Sequence, residues 1–334
     1  MTEPGAGVQP RPPSPKAIGE CKHGNRNCEA GKSRRGSGRA AGSLLSGRPK
    51  RPYPSYRINE AVATGRMLRN LLATTQFKLS PPLKWAGGNR WLVPYLRPIY
   101  APHRHRRLVE PFCGGLAVTL GLMPERALLN DINPHLINFF VWLKRGLKTT
   151  IPMANDAELY YRHRRRFNEL IRSGQADSEE AAQLFYYLNR TCYNGLCRFN
   201  RRGEFNVPFG RYRQINYRRD FSEYVAVFKD WDFTCGDFEQ VPLEPEDFVY
   251  ADPPYDVEFR QYSPEGFTWE DQIRLACWLT KHPGPVVLSN QATDRIVRLY
   301  VELGFELRFV DGPRMISCTG DRRPVKEVIA TRNL

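Results

Sequence analysis

At 334 residues the chain has room for about two domains, and its formal charge of +15 points to an anionic partner, nucleic acid before membrane. No apolar run approaches the ~18 residues that a membrane span needs. The eight cysteines include no Cys-x-x-Cys pair, which excludes paired-cysteine zinc modules, and without an apolar leader after Met1 they are expected to be reduced thiols of a cytoplasmic protein.

Residues 1–75 are rich in Gly, Pro, Ser and Arg, and residues 1–70 carry a net +10. That composition reads as a disordered basic tail. Lys32-Ser33-Arg34-Arg35 and Arg48-Pro49-Lys50-Arg51 suit phosphate contacts without sequence preference, a plain solvated tail being the alternative. Cys21, His23 and Cys28 stop one ligand short of a zinc site. Asn59–Leu72 has the spacing of a short helix. Leu83 opens a strand-like run into Gly87-Gly88, where glycine lets a ligand approach the backbone. Leu108–Phe112 reads as a buried strand entering Gly114-Gly115, with a helix over Leu116–Leu122. Strand, glycine turn and helix open a nucleotide-binding α/β unit. A second strand, Ala127–Asp131, ends in an acid placed to accept hydrogen bonds from ribose hydroxyls, or simply to cap the next helix. Asn133-Pro134 starts that helix, which runs to about Lys144.

Residues 144–222 change character and carry a net +8. Helical stretches at Glu158–Ser173 and Ser178–Asn189 precede an irregular run in which arginines and aromatics interleave. Asn194-Gly195 marks a hairpin turn. Arg and Asn can read base edges bidentately, and aromatic rings can wedge between bases or stack on them. A solvated charged face is the alternative.

The α/β pattern resumes at Trp231, and Phe233–Phe238 reads as a strand ending at Asp237. Phe248-Val249 then leads into Tyr250-Ala251-Asp252-Pro253-Pro254-Tyr255. Two successive prolines cannot continue a ladder. They stiffen the loop, so Asp252 and the Pro253 carbonyl become fixed acceptors beside the Tyr255 ring. That trio suits a planar amine such as the exocyclic NH2 of a nucleobase. Helices are expected at Thr268–Lys281 and Asp294–Leu303. Strands are expected at Pro285–Ser289, Phe305–Val310 and Val325–Ala330, the last pairing back.

Lys84-Trp85-Ala86-Gly87-Gly88, then Glu110-Pro111-Phe112-x-Gly114, an insertion and Asp252-Pro253-Pro254-Tyr255 follow one another in a familiar order. With Tyr193–Arg198 and Arg202–Gly210, they make residues 77–333 resemble the Dam-type DNA adenine N6-methyltransferases. The resemblance implies a Rossmann-like, S-adenosylmethionine-dependent α/β methyltransferase domain (76–143 and 223–334). Residues 144–222 would be an inserted helical and hairpin domain that recognises double-stranded DNA. It implies that Trp85, Ala86, Gly88, Phe112, Gly114, Asp131 and Asp237 hold S-adenosylmethionine. Asp252, Pro253 and Tyr255 would hold a flipped adenine. Lys84, Tyr193, Asn194, Leu196, Arg198, Pro208 and Arg211 would contact the DNA, with GATC as the site. No metal is required, and a monomer is expected. The family often has Lys where Asn89 stands, so a phosphate or methionine-side contact is expected to shift. It often has Gly where Leu116 stands, which bears on cofactor affinity. Alternatives are a DNA cytosine-N4 or RNA methyltransferase, or an inactive DNA-binding module. Cytosine-N4 enzymes tend towards Ser in place of Asp252.

Overall fold

Alternation along the strands dictates two apolar faces. In β2 (Ala127–Asp131), β4 (Phe248–Ala251) and β5 (Val286–Gln291), Ala127, Leu129, Phe248, Tyr250 and Val287 join one core, while Leu128, Val249, Ala251, Val286 and Leu288 join another. Successive side chains point to opposite sides of a sheet, so a strand apolar throughout must be covered on both. In the computed structural model, which describes residues 79–256, 266–312 and 325–334, these strands belong to one seven-stranded sheet. Its other members are β1 (Leu108–Glu110), β3 (Trp231–Cys235), β6 (Glu306–Gly312) and β7 (Val325–Arg332), and the order is β3-β2-β1-β4-β5-β7-β6. β1 to β5 pair in parallel, and β7 enters antiparallel between β5 and β6. The expected return of the last strand is therefore observed. The basic tail, the Cys21/His23/Cys28 cluster and the helix expected at Asn59–Leu72 lie outside the described residues.

Helices cover both faces. α1 (Val93–Tyr100), α2 (Thr119–Leu122), α3 (Pro134–Lys144), α4 (Ala157–Arg172), α5 (Glu179–Thr191) and α6 (Ser222–Phe228) precede β3, whereas α7 (Trp269–Thr280) and α8 (Asp294–Glu302) flank β5. Local sequence sets their ends. Asn133 caps α3 by accepting from the His135 and Leu136 N–H groups, with Pro134 at the first helical position. Asp156, Ser178, Thr268 and Thr293 cap α4, α5, α7 and α8 in the same way. The helix expected at Leu116–Leu122 begins only at Thr119, because Leu116 takes a left-handed conformation (φ 61°).

The insertion has no core of its own. Leu136, Phe139 and Phe140 of α3 share one apolar cluster with Phe167 of α4, Phe185 and Tyr186 of α5, and Phe221. Phe139 stacks against Tyr186 with ring centroids 5.7 Å apart. Among the described residues no helix is long and apolar enough to cross a membrane.

Candidate active site

The strand order reverses direction between β1 and β4. From β1 the sheet grows through β2 to β3, and from β4 it grows the other way to β5. In open parallel sheets, ligands bind outside the carboxyl ends of the strands at such a switch point. Two loops leave the sheet there: Pro111–Leu116 after β1 and Asp252–Asp256 after β4.

Asp252 follows directly on β4, and three elements converge on it. The Nδ2 amine of Asn89 lies 2.9 and 2.8 Å from its two carboxylate oxygens and 2.8 Å from the Tyr255 hydroxyl. Trp91 Nε1 donates to Asn89 Oδ1 at 3.3 Å, which turns the amine towards Asp252. From β5, Ser289 Oγ donates to Asp252 Oδ1 at 2.8 Å and sits 2.9 Å from the Tyr250 hydroxyl. From β7, Glu327 accepts from the Tyr255 hydroxyl at 2.8 Å. Burial pushes the Asp252 carboxyl up to about 7, with repulsion from Glu327 adding to it. Glu110, at the end of β1, is pushed up to about 8 by burial, with Asp252 contributing and Thr119 opposing.

The proline loop is braced from behind. Gln272 Nε2 donates to the Pro254 carbonyl at 2.8 Å, and Asn290 Oδ1 accepts from the Asp256 N–H at 3.1 Å. Asn290 in turn donates to Gln272 and to the Tyr300 hydroxyl. Asp252, the Pro253 carbonyl and Tyr255 therefore stand on a frame built from β5, α7 and α8. Asn89, standing where the family often has Lys, makes its contact with Asp252.

The glycine loop packs against Trp85. A Cβ on Gly115 would lie 2.7 Å from Trp85 Cβ, so the indole itself, and not only a ligand, demands glycine here. Asp131 Oδ2 accepts from the Gly114 N–H at 3.1 Å, and Oδ1 accepts from the Asn133 N–H at 2.9 Å. The Phe112 ring stands 5.5 Å from both Phe238 and Phe267, and the three form an apolar cluster. At its edge Asp237 is held by Arg274 through contacts of 3.0 and 2.8 Å, and this ion pair keeps the Asp237 carboxyl below its usual range. Trp85 is half-buried, whereas Ala86 and Gly88 are exposed in the turn between Trp85 and Asn89.

Leu116 takes a left-handed backbone (φ 61°), and its side chain is fully buried. The conformation costs about 1–2 kcal/mol in an L-residue. Removing a buried leucine side chain costs roughly 2–5 kcal/mol. Packing wins, so Leu116→Gly is expected to lower stability by about 1–3 kcal/mol despite the relaxed backbone. Urea denaturation measures this, and a variant more stable than the parent would refute it.

Lys84 does not lie in a strand. Its backbone is paired by a side chain instead: its N–H donates to Asn189 Oδ1 at 2.9 Å, and its carbonyl accepts from Asn189 Nδ2 at 2.7 Å. The ammonium donates to the Arg190 carbonyl at 3.1 Å and lies 3.7 Å above the Tyr212 ring. Desolvation, with Arg190 nearby, holds its pKa below the usual lysine range.

The irregular run that follows α5 is a hairpin, bridged at Cys192 with Phe209 and at Phe199 with Phe205. Asn194 and Gly195 take φ of 53° and 64°, and the Leu196 N–H reaches the Tyr193 carbonyl at 3.1 Å. This is the type I′ turn expected of Asn-Gly. It forms a knuckle in the outgoing arm, however, and the chain reverses at Asn200–Glu204. Tyr193, Asn194, Leu196, Arg198, Pro208 and Arg211 are all exposed. Arg198 Nε donates to Asn206 Oδ1 at 2.8 Å, which directs its terminal amines away from that contact.

The seven-stranded sheet, with these two loops at its switch point, is a Rossmann-like methyltransferase fold. A family model of the D12 class N6 adenine-specific DNA methyltransferases matches residues 85–314, and the chain belongs to that family; it is a DNA adenine methyltransferase. It is 35% identical over 273 residues to a DNA adenine methylase of Vibrio cholerae, covering 74% of this chain and 94% of the relative. It is 34% identical over 272 residues to the DNA adenine methylase of Escherichia coli, covering 74% and 93% respectively. A DNA N-6-adenine-methyltransferase of Escherichia phage P1 is 34% identical over 260 residues, covering 72% of this chain, which spans only 34% of that longer protein.

Sequence reasoning missed four polar groups around Asp252: Asn89 as its partner, Ser289, Glu327 and Glu110. Ser289 carried a signal, since it is a buried hydroxyl directly after the apolar Val286-Val287-Leu288 of β5. Glu327 carried none, because the pairing that brings β7 beside β5 is remote in sequence.

Proposed function

We propose that this enzyme flips an adenine out of double-stranded DNA at GATC and methylates its N6 with S-adenosylmethionine, acting as a cytoplasmic monomer. The observation that carries the reading is the Asn89 amine. A planar NH2 group already lies against both Asp252 oxygens and the Tyr255 hydroxyl, and adenine N6 is the same kind of group.

Residues of the crevice fit the methyl donor. Asp131, anchored by two backbone N–H groups, suits ribose hydroxyls, and the apolar Phe112/Phe238/Phe267 cluster beside Asp237 suits a purine face. Trp85, Ala86, Gly88 and Gly114 line the same approach. Bound there, S-adenosylmethionine supplies an electrophilic methyl group on a sulfonium sulfur. The protein supplies positioning. Asp252 replaces Asn89 with one N6–H as its donor, and the Pro253 carbonyl takes the other. Those two hydrogen bonds turn the N6 lone pair out of conjugation and towards the methyl, and the Tyr255 ring holds the base plane. Preorganised acceptors of this kind need no rearrangement during transfer. Extruding the base costs a few kcal/mol. Residues 144–222 meet that cost as the recognition domain: Tyr193 and Asn194 fill the vacated stack, and Lys84, Leu196, Arg198 and Pro208 read bases. Arg211 meets phosphate.

The test is transfer of tritiated methyl to duplexes holding one GATC, followed by nucleoside analysis. Label is expected in N6-methyladenine, with single-base changes to the site lowering it. Label in cytosine, or equal labelling of every duplex, would refute the reading.

Asp252 is the stronger acceptor when ionised, because both oxygens then accept and neither carries a proton. With its carboxyl at about 7, turnover should fall as pH drops through 7 and level off above it. Asn89→Lys puts an ammonium where the amine stood, and an opposite charge at that range lowers a carboxyl pKa by about 1–3 units. The acid limb of the pH–rate profile should move down accordingly. A limb that stays in place would remove Asp252 as its source.

A further inference from the structure

The hairpin's returning arm, residues 204–207, has an unusual neighbour. On one side it meets the outgoing arm through the Phe199–Phe205 bridge and the Asn206 N–H, which donates to the Arg198 carbonyl at 3.2 Å. Its other edge is met by side chains of α4. Tyr160 donates its hydroxyl to the Val207 carbonyl at 2.7 Å, and Arg164 Nη1 donates to the same oxygen at 3.0 Å. Asn168 Nδ2 donates to the Phe205 carbonyl at 3.1 Å while its Oδ1 accepts from the Phe205 N–H at 2.8 Å. Arg172 pairs with Glu204 at 2.5 Å.

These four residues recur every fourth position, so they form one row along the helix. Asn168 differs from the others in making a reciprocal pair. Its amide offers a donor and an acceptor to one residue, as a neighbouring strand would. Phe205 and Val207 are buried beneath the row, and strand alternation turns Asn206 and Pro208 to the opposite side. On that side Asn206 takes the Arg198 Nε.

We propose that Asn168 is a positioning residue for sequence readout: it fixes the returning arm in register, and through Asn206 and Pro208 it fixes the direction in which Arg198 meets the duplex. The inference rests on the reading that this hairpin reads bases. Asn168 itself, on the far side of the arm, touches no DNA.

The experiment measures kcat/KM for a GATC duplex and for duplexes altered at one position, in the wild type, Asn168→Ala and Arg198→Ala. Asn168→Ala is expected to lose about tenfold of discrimination at the positions where Arg198→Ala loses it, since small misplacements are amplified in oriented contacts. The salt slope of nonspecific binding should stay at the wild-type value, because no phosphate contact is removed. If Arg198→Ala keeps full discrimination, the base-reading role of the hairpin is wrong. If Arg198→Ala relaxes specificity and Asn168→Ala does not, the positioning role of Asn168 is wrong. Should Asn168→Ala lose its fold, Asn168→Asp keeps the acceptor for the Phe205 N–H and loses the donor. It should show an intermediate loss, and wild-type discrimination in it overturns the proposal.

Discussion

Asp252→Ala should lower methyl transfer by a factor of at least about 100–1,000, the scale on which one preorganised polar partner of a transition state matters. The variant loses the acceptor proposed to face N6 and leaves the Asn89 NH2 group and the Ser289 hydroxyl without the carboxylate they share. DNA affinity should change little, because it comes mostly from phosphate contacts made elsewhere. Single-turnover methylation beside a gel-shift titration separates the two. Near-normal turnover would remove Asp252 from the chemistry. A parallel fall in binding would make it a structural residue. Ser289→Ala, which removes one donor and keeps the carboxylate, should give a smaller loss of the same kind.

The second large effect is expected from Arg198→Ala. A good bidentate contact to a base contributes about 1–3 kcal/mol of discrimination, so specificity at one guanine should relax by roughly 5- to 150-fold. Its Nε is already held by Asn206, so on the proposed reading the guanidinium would meet the base pre-aligned. Nonspecific affinity should persist through Arg201, Arg202 and Arg211. Equal weakening on every sequence would make Arg198 a phosphate contact and move base reading to another residue.

The sheet was legible because its strands obey simple rules. Ala127–Asp131 and Phe248–Ala251 are short apolar runs ended by an acid or prolines. The helices after Asn133, Ser178 and Thr268 announce themselves by their caps. Loop chemistry singled out Asp252, Tyr255 and Asp131, which the structure places in or beside the two switch-point loops, and the Tyr193–Arg198 segment, whose Tyr193, Asn194, Leu196 and Arg198 are exposed. Lys84 misled, since an apolar flank suggested a strand and the backbone instead pairs with a side chain 105 residues away. Asn89 misled for a related reason: its partner Asp252 is 163 residues distant, and local sequence cannot report such a contact. α1 was missed because Pro94 and Pro98 look like helix breakers. The helix is only eight residues long and has Pro94 near its start, where a missing N–H does little harm.

The seam through α3 bears on engineering new sequence preferences by exchanging recognition segments among relatives. Phe139 faces Phe185, Tyr186 and Phe221 across the boundary of the insertion, while the adjacent Phe140 faces Phe233 of β3. Asn138 and Trp142 also donate to the carbonyls of Ala176, Ser178 and Asp177 in the α4–α5 connection. A graft cut at residues 144 and 222 would therefore set one parent's α3 against the other parent's aromatic layer. Moving the upstream cut to Pro134 carries the whole seam with the donor segment. The mismatch then falls where α3 meets β2, β3 and α6.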